Sequence, residues 1–235
     1  MTRTTLGALV LALLAALATP GVARAAARDE PRNGVESMTP DQAFAAASAA
    51  LGAATDVSYE GSVDANLVGR RLRYQSTRVT TPQGCAETLR RGGFVVRYVV
   101  KGGKAYLKAP KKYWKAHQAP GWAARRLHGR WVKGKASKAE REACRPAAMV
   151  PLAHASAFAA QPYERHVRGR PGIQFDGSDG VDPMVVIVAT TGPPHVTKVS
   201  WGTSEDRSVY ELTAVDVGVR IVKPRKARTV RGWLR

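Results

Sequence analysis

The sequence predicts an α+β domain: a curved antiparallel β-sheet with helices packed on one face. Three observations carry this. Strands are grouped with strands and helices with helices, and the absence of βαβ alternation argues against a parallel sheet. The segment from Val57 alternates strictly, with Val57, Tyr59, Gly61, Val63, Ala65 and Leu67 on one face and Ser58, Glu60, Ser62, Asp64 and Asn66 on the other. Phe94, Val96, Tyr98 and Val100 share a face of a second extended segment, which Gly102-Gly103 can reverse into Ala105-Tyr106-Leu107 as a β-hairpin. A chain of 235 residues, 44% of them hydrophobic, fills one sizeable core without demanding a second domain.

The elements follow in order. Residues 1–25 read as a signal peptide: Arg3 supplies the positive end, Leu6 to Ala18 is apolar, and Ala23-Arg24-Ala25 has the small-x-small form of a cleavage site, so the mature chain is expected to begin at Ala26. The apolar run falls short of the roughly 20 residues a spanning helix needs, which points to export into an extracytoplasmic, cell-envelope or secreted location. No cysteine stands near the cleavage site to carry a lipid. Residues 26–38, charged and interrupted by Pro31 and Gly34, read as a flexible leader, 39–224 as the single domain, and 225–235 as a basic tail whose Trp233 and Leu234 could dock.

Thr39-Pro40-Asp41-Gln42 is a capping box with proline at the first helical position, opening an Ala-rich helix of about three turns that ends near Gly52. After the Val57 strand a turn near Gly69 returns the chain through Leu72 and Tyr74, and Pro82-Gln83-Gly84 makes the next corner. Beyond the hairpin come the connector Lys111-Lys112-Tyr113-Trp114-Lys115, a Gly121-Trp122 segment with helical character, and a new element at Gly129-Arg130-Trp131-Val132. Ser137-Lys138-Ala139-Glu140 is a second capping box, opening a helix that carries Cys144 and that Pro146 and Pro151 must break. A further helix is expected over Leu152 to Ala160, then a loop, then strands over Val185–Ala189, Val196–Trp201, Ser208–Val215 and Val217–Val222.

Cys85 and Cys144 are the only cysteines, and an even pair in an exported chain is expected to be bridged, with Cα atoms roughly 4.4–6.8 Å apart. Two free thiols are the competing reading. A metal site is not expected, because neither cysteine has a histidine or second cysteine at ligand spacing.

The formal charge of +19 favours anionic partners such as lipid headgroups or wall polymers, and an exported chain is not expected to meet nucleic acid. Lys101, Lys104, Lys108, Lys111, Lys112 and Lys115 are interleaved with Tyr106, Tyr113 and Trp114, a composition suited to headgroups or to a solvated face. Catalytic signatures are missing. His154-Ala155-Ser156 lacks a nucleophile elbow, the histidines lack paired spacing, and Asp176-Gly177-Ser178-Asp179-Gly180 reads as a turn rather than a Ca²⁺ loop. No enzyme activity, metal or cofactor is expected, and a monomer is.

Val-Ser-Tyr-Glu-Gly-Ser-Val from Val57, a cysteine before Phe94-Val95-Val96-Arg97, Gly102-Gly103-Lys104-Ala105-Tyr106-Leu107-Lys108, Tyr113-Trp114 and Gly129-Arg130-Trp131-Val132, behind a signal segment and an Ala-rich helix, together resemble the actinobacterial LppX/LprG-like envelope lipoproteins, relatives of the LolA-type lipoprotein carriers. The resemblance runs from Thr39 to Pro224, and the lipobox cysteine of lipidated members is absent. It implies a half-barrel closed by helices around a hydrophobic cavity, holding an acyl lipid or lipoglycan. The lining residues would be Val57, Tyr59, Val63, Leu67, Leu72, Tyr74, Phe94, Val96, Tyr98, Val100 and Leu107, with the six lysines and Trp114 at the headgroups. The alternation itself serves a filled core equally well. The alternative function is therefore a structural or adhesive module that binds anionic polymer or headgroups by its basic surface.

Overall fold

The computed structural model describes residues 30–203 and 205–229. The expected signal segment, its Ala25–Ala26 junction, Trp233 and Leu234 lie outside the described residues. Helix α1 (Pro40–Ala53) begins where its capping box directs. The Thr39 hydroxyl oxygen accepts from the Gln42 N–H, and the Gln42 side chain accepts from the Thr39 N–H. Its buried stripe is Ala43, Phe44, Ala47 and Leu51.

Five strands follow: β1 (Val57–Asn66), β2 (Arg71–Thr81), β3 (Gly84–Arg91), β4 (Phe94–Lys101) and β5 (Lys104–Lys108). Helices α2 (Lys111–Ala116) and α3 (Gly121–Leu127) lead to β6 (Trp131–Lys135), and α4 (Lys138–Ala143) follows. Two 3₁₀ segments, Pro146–Met149 and Leu152–Ala157, precede β7 (Ala159–Val167), β8 (Arg170–Ser178), β9 (Pro183–Ala189), β10 (Val196–Trp201) and β11 (Ser208–Val215), and β12 (Arg228–Thr229) comes last. All belong to one curved, unclosed sheet in the order β12-β6-β5-β4-β3-β2-β1-β11-β10-β9-β8-β7. Two antiparallel meanders thus meet where β11 pairs with β1, Val57 opposite Val215 and Gly61 opposite Tyr210. At this seam only glycine fits: a Cβ on Gly61 would lie 1.9 Å from the Val209 carbonyl oxygen.

The fold is the α+β half-barrel expected, with helices on one face, here called the inner face. Several local expectations are corrected. Within the leader expected to be flexible over 26–38, Asn33 donates to the carbonyls of Ala189 and Gly192, each at 2.9 Å, Arg32 bridges to Thr191, and Val35 is buried. Leu152 to Ala160 was read as a helix; Leu152–Ala157 is 3₁₀ with a kink at His154, and β7 begins at Ala159. The expected loop after it is the β7–β8 hairpin. Its strands are hard to read because Pro162 interrupts β7, tolerable on an edge strand, and glycines 172 and 177 interrupt β8. The turn read at Asp176 starts later: Asp176 to Ser178 are in β8, and the Asp179 carboxylate accepts from the N–H groups of Val181 and Asp182.

The strand expected over Val217–Val222 is also absent, because positive φ at Asp216 and Gly218 turns the chain away from β11. This stretch becomes a strap on the outer face. The buried Asp56 carboxylate accepts from the N–H groups of Gly218 (2.8 Å) and Val219 (3.1 Å) to start it. Ile221 then packs with Val99 and Tyr106, the Lys101 amine donates to the Ile221 carbonyl at 2.5 Å, and β12 pairs parallel to β6. Strand pairing therefore continues beyond Pro224, the expected boundary, as far as Thr229.

Candidate functional site

Pairing assigns the inner face residue by residue. Val57, Tyr59, Gly61, Val63 and Ala65 of β1 stand opposite Thr80, Arg78, Ser76, Tyr74 and Leu72 of β2. Arg78 and Ser76 stand opposite Glu87 and Leu89 of β3, Leu89 opposite Val96, and Tyr98 opposite Leu107, which in turn faces Val132. The expected lining residues that lie in strands therefore share this face, but together with Leu67 they divide among separate clusters.

Val57 and Tyr59 belong to the core that α1 fills, with Val63 packed against it. Phe44 stacks edge-on against Phe158 and Phe175, with ring centroids 5.1 and 5.2 Å away. Val57 and Tyr59 have no exposure at all and line packed core, not open space, because Phe44 occupies what would be the cavity there. Val96 and Leu107 are in a second cluster under α2 and α3, flanked by the half-buried Leu67, Leu89, Phe94 and Tyr98. Val100 is in a third, with Cys85, Ala105, Ala136 and Cys144. Tyr74 is buried with its ring 5.7 Å from Phe94, and Leu72 is half-buried.

The disulfide expected between Cys85 and Cys144 is formed, with Cα atoms 5.0 Å apart. It ties β3 to the residue that caps α4. A second tie is polar: the Tyr98 hydroxyl donates to the Glu140 carboxylate. Burial opposes the Glu140 charge, but hydrogen bonds from Tyr98 and from the Ser137 N–H outweigh it and hold the acid below its usual pKa. Burial and the bond to Glu140 push the Tyr98 hydroxyl far up, so it stays a donor.

Sequence reasoning missed a polar network midway along the inner face. Glu87 accepts from the hydroxyls of Ser76 (2.9 Å) and Tyr210, Arg78 lies 3.8 Å from its other oxygen, and Arg78 donates to the Ala143 carbonyl at the end of α4. Burial and the Glu87 charge raise the Tyr210 pKa strongly. The hydroxyls of Tyr59 and Tyr74 and the Arg78 Nε are buried with no partner among the described residues. Their desolvation is then uncompensated, a cost of about 1–3 kcal/mol each that a polar guest would remove. The signal was available: once β3 is a strand, Glu87 shares the face of Cys85 and Leu89.

The expected headgroup cluster does not form as one surface. Trp114 is a correction: it is 2% exposed, with its indole N–H donating to the Ala109 carbonyl at 3.2 Å, because on α2 it faces the second core. Lys101 and Lys104 flank the β4–β5 turn, whereas Lys111, Lys112 and Lys115 are on α2 beyond the other end of β5, roughly 14 Å away at strand rise. Lys108 is on the outer face opposite Arg97. The exposed tryptophan is Trp122 of α3, 60% accessible beside the exposed Arg125 and Arg126. Among the described residues no group of three or more His, Cys, Asp or Glu could hold a metal, and no helix is long and apolar enough to cross a membrane.

Comparison with solved structures matches this architecture. LprF from Mycobacterium bovis superposes with a TM-score of 0.52 at 10% identity, covering 79% of this chain and 96% of LprF. The Mycobacterium tuberculosis lipoprotein LppX gives 0.51 at 13% identity, covering 78% and 98%. The fold is the one these two proteins share, so the resemblance read from the sequence holds at the level of fold. No family model matches the chain, and no curated protein does.

Proposed function

We propose that this protein is an extracytoplasmic carrier that encloses the acyl chains of a lipid or lipoglycan, without bond chemistry, between the inner face of β2–β5 and helices α2–α4. The observation that carries this reading is the state of Leu67, Leu72, Leu89, Phe94 and Tyr98. They are apolar, inward-facing and only half-buried, beneath short helices in a fold shared with a lipoprotein. Half-covered apolar surface is what an acyl chain would finish burying, at about 25 cal/mol per Å². The unpartnered Arg78 Nε and Tyr74 hydroxyl supply points where the polar end of an amphiphile can pair. The signal segment read from residues 1–25 supports export.

Native mass spectrometry of protein purified from its own envelope, followed by solvent extraction, tests the proposal. The expected result is a bound species that extraction identifies as an acyl lipid. Protein recovered empty, and taking up no lipid when mixed with acyl-lipid micelles, overturns it. A second reading, a module held to anionic polymer by charge, is favoured by the unpaired lysines of the outer face. Moderate salt would release such a module from envelope fractions, whereas acyl burial is nearly indifferent to salt.

A further inference from the structure

We infer that the outer-face corner formed by the β4–β5 turn, the end of β6 and β12 is a binding site for phosphate groups, separate from the inner face and independent of the carrier reading. Three lysines stand directly opposite one another across adjacent strands: Lys101 faces Lys104, and Lys104 faces Lys135. Lys133 lies two residues along on the same face. The Lys223 amine reaches the turn from the strap, close enough that a Cβ on Gly102 would lie 2.9 Å from it. Between these groups is a cleft of about 270 Å³ lined by Gly102, Gly103, Lys104, Lys133, Lys135 and Thr229 among others.

Like charges directly opposite in a sheet destabilise it. Elsewhere on the outer face cations meet carboxylates: Lys198 meets Glu211 at 2.9 Å, Arg168 meets Glu60 at 3.3 Å, and Arg73 meets Asp64 at 3.1 Å, while Arg97 opposite Lys108 is a smaller like-charged pair. At this corner no relief is present. Among the described residues none of Lys101, Lys104, Lys133, Lys135 and Lys223 has a carboxylate within ion-pair distance. The sequence after Thr229 contains no Asp or Glu. The described residues supply no countercharge here, which leaves the corner open to an anion from solution.

The chemistry of the wall selects the anion. Ammonium groups are point charges with rotatable donors of the kind that bind phosphate, and several of them together favour a multiply charged phosphate over a single carboxylate. The turn that presents Lys104 is tight: Gly102 and Gly103 hold φ of 59° and 70°, the two-residue geometry that matches strand twist, and the Gly103 carbonyl accepts from the Ala136 N–H at 3.0 Å. The Lys101 bond to the Ile221 carbonyl anchors the strap beside it. A phosphate ester in this cleft would be met by cations from three adjacent strands and the strap.

The test compares two probes, tripolyphosphate for a free phosphate chain and phosphatidylglycerol vesicles for a lipid headgroup, against Lys104→Gln/Lys135→Gln and a control of equal charge change, Lys112→Gln/Lys115→Gln. Near 50 mM salt the cleft variant should lose roughly tenfold in affinity for whichever probe binds, with a salt slope lower by about two, while the control changes little. Loss with tripolyphosphate identifies a free phosphate chain as the source, and loss with vesicles alone identifies the headgroup. Removing opposed charges should leave the melting temperature equal or higher. Should the double variant fold poorly, Lys133→Gln, whose cross-strand partner is Tyr106, makes the same comparison. Equal loss in cleft and control variants, or no binding of either probe, overturns the inference.

Discussion

The two halves of the inner face use the same sheet differently. Under α1, strands β1 and β8–β11 bury Phe44, Phe158, Phe175, Val186, Val188 and Leu212 in one continuous core, with side chains interlocked and a 14-residue helix across it. Over β2–β5 the covering helices have six or seven residues, the core is divided, and Leu89, Phe94 and Tyr98 are left half-buried around a polar network. Short helices have little stability of their own, so their position depends on ties such as the disulfide and the Tyr98–Glu140 bond. One half is closed by a single long helix, and the other by short helices with apolar side chains left half-covered beneath them.

The largest effect should come from the packed half. Phe44→Ala removes a ring that contacts two others and should cost about 3–5 kcal/mol in denaturant unfolding. Phe94→Ala, at a half-buried position, should cost much less but reduce recovered lipid. Equal stability losses would erase the distinction between the halves.

Next is the staple. Cys144→Ser should cost about 2–4 kcal/mol, since the bridge closes a 59-residue separation. It should also weaken lipid retention, because α4 then loses its covalent tie to β3 and keeps its polar bonds to Tyr98 of β4 and Arg78 of β2. Stability loss with unchanged retention would mean that α4 does not cover the ligand.

Titration should give the smallest effect and separate the halves by pH. The Glu140 pKa is depressed in the fold, so its contribution is complete above the unfolded value, near 4.3, and is lost as pH falls through the lower folded value. Burial, then the Arg170 charge, depresses His195 at the β9–β10 end, so protonation opposes folding there. Its contribution is lost as pH falls from about 6.5 through the folded value. Melting curves should show a shallow decline from pH about 6.5 that His195→Gln removes, and a steeper one below pH about 4 that Glu140→Gln reduces. A profile unchanged by both variants would mean that neither tie bears on stability.

Local chemistry was legible from the residues themselves. Both capping boxes, the Gly102-Gly103 reversal, the alternation of β1, the spans of β10 and β11 and the cysteine pairing are where short-range pattern puts them, because each depends on neighbours in sequence or on a count of two thiols. What only tertiary structure decided depends on partners distant in the chain. Alternation assigned Val57 and Tyr59 a face but could not say that Phe44 would fill the space before them, and it could not separate Trp114, turned inward by α2, from Trp122, left in solvent. β7 and β8 are held by pairing rather than by their own pattern, and Val217–Val222 has strand-like residues but no strand to join. Lys135 became the partner of Lys104 only when β6 met β5, since register between strands is set by the whole sheet and not by either segment alone.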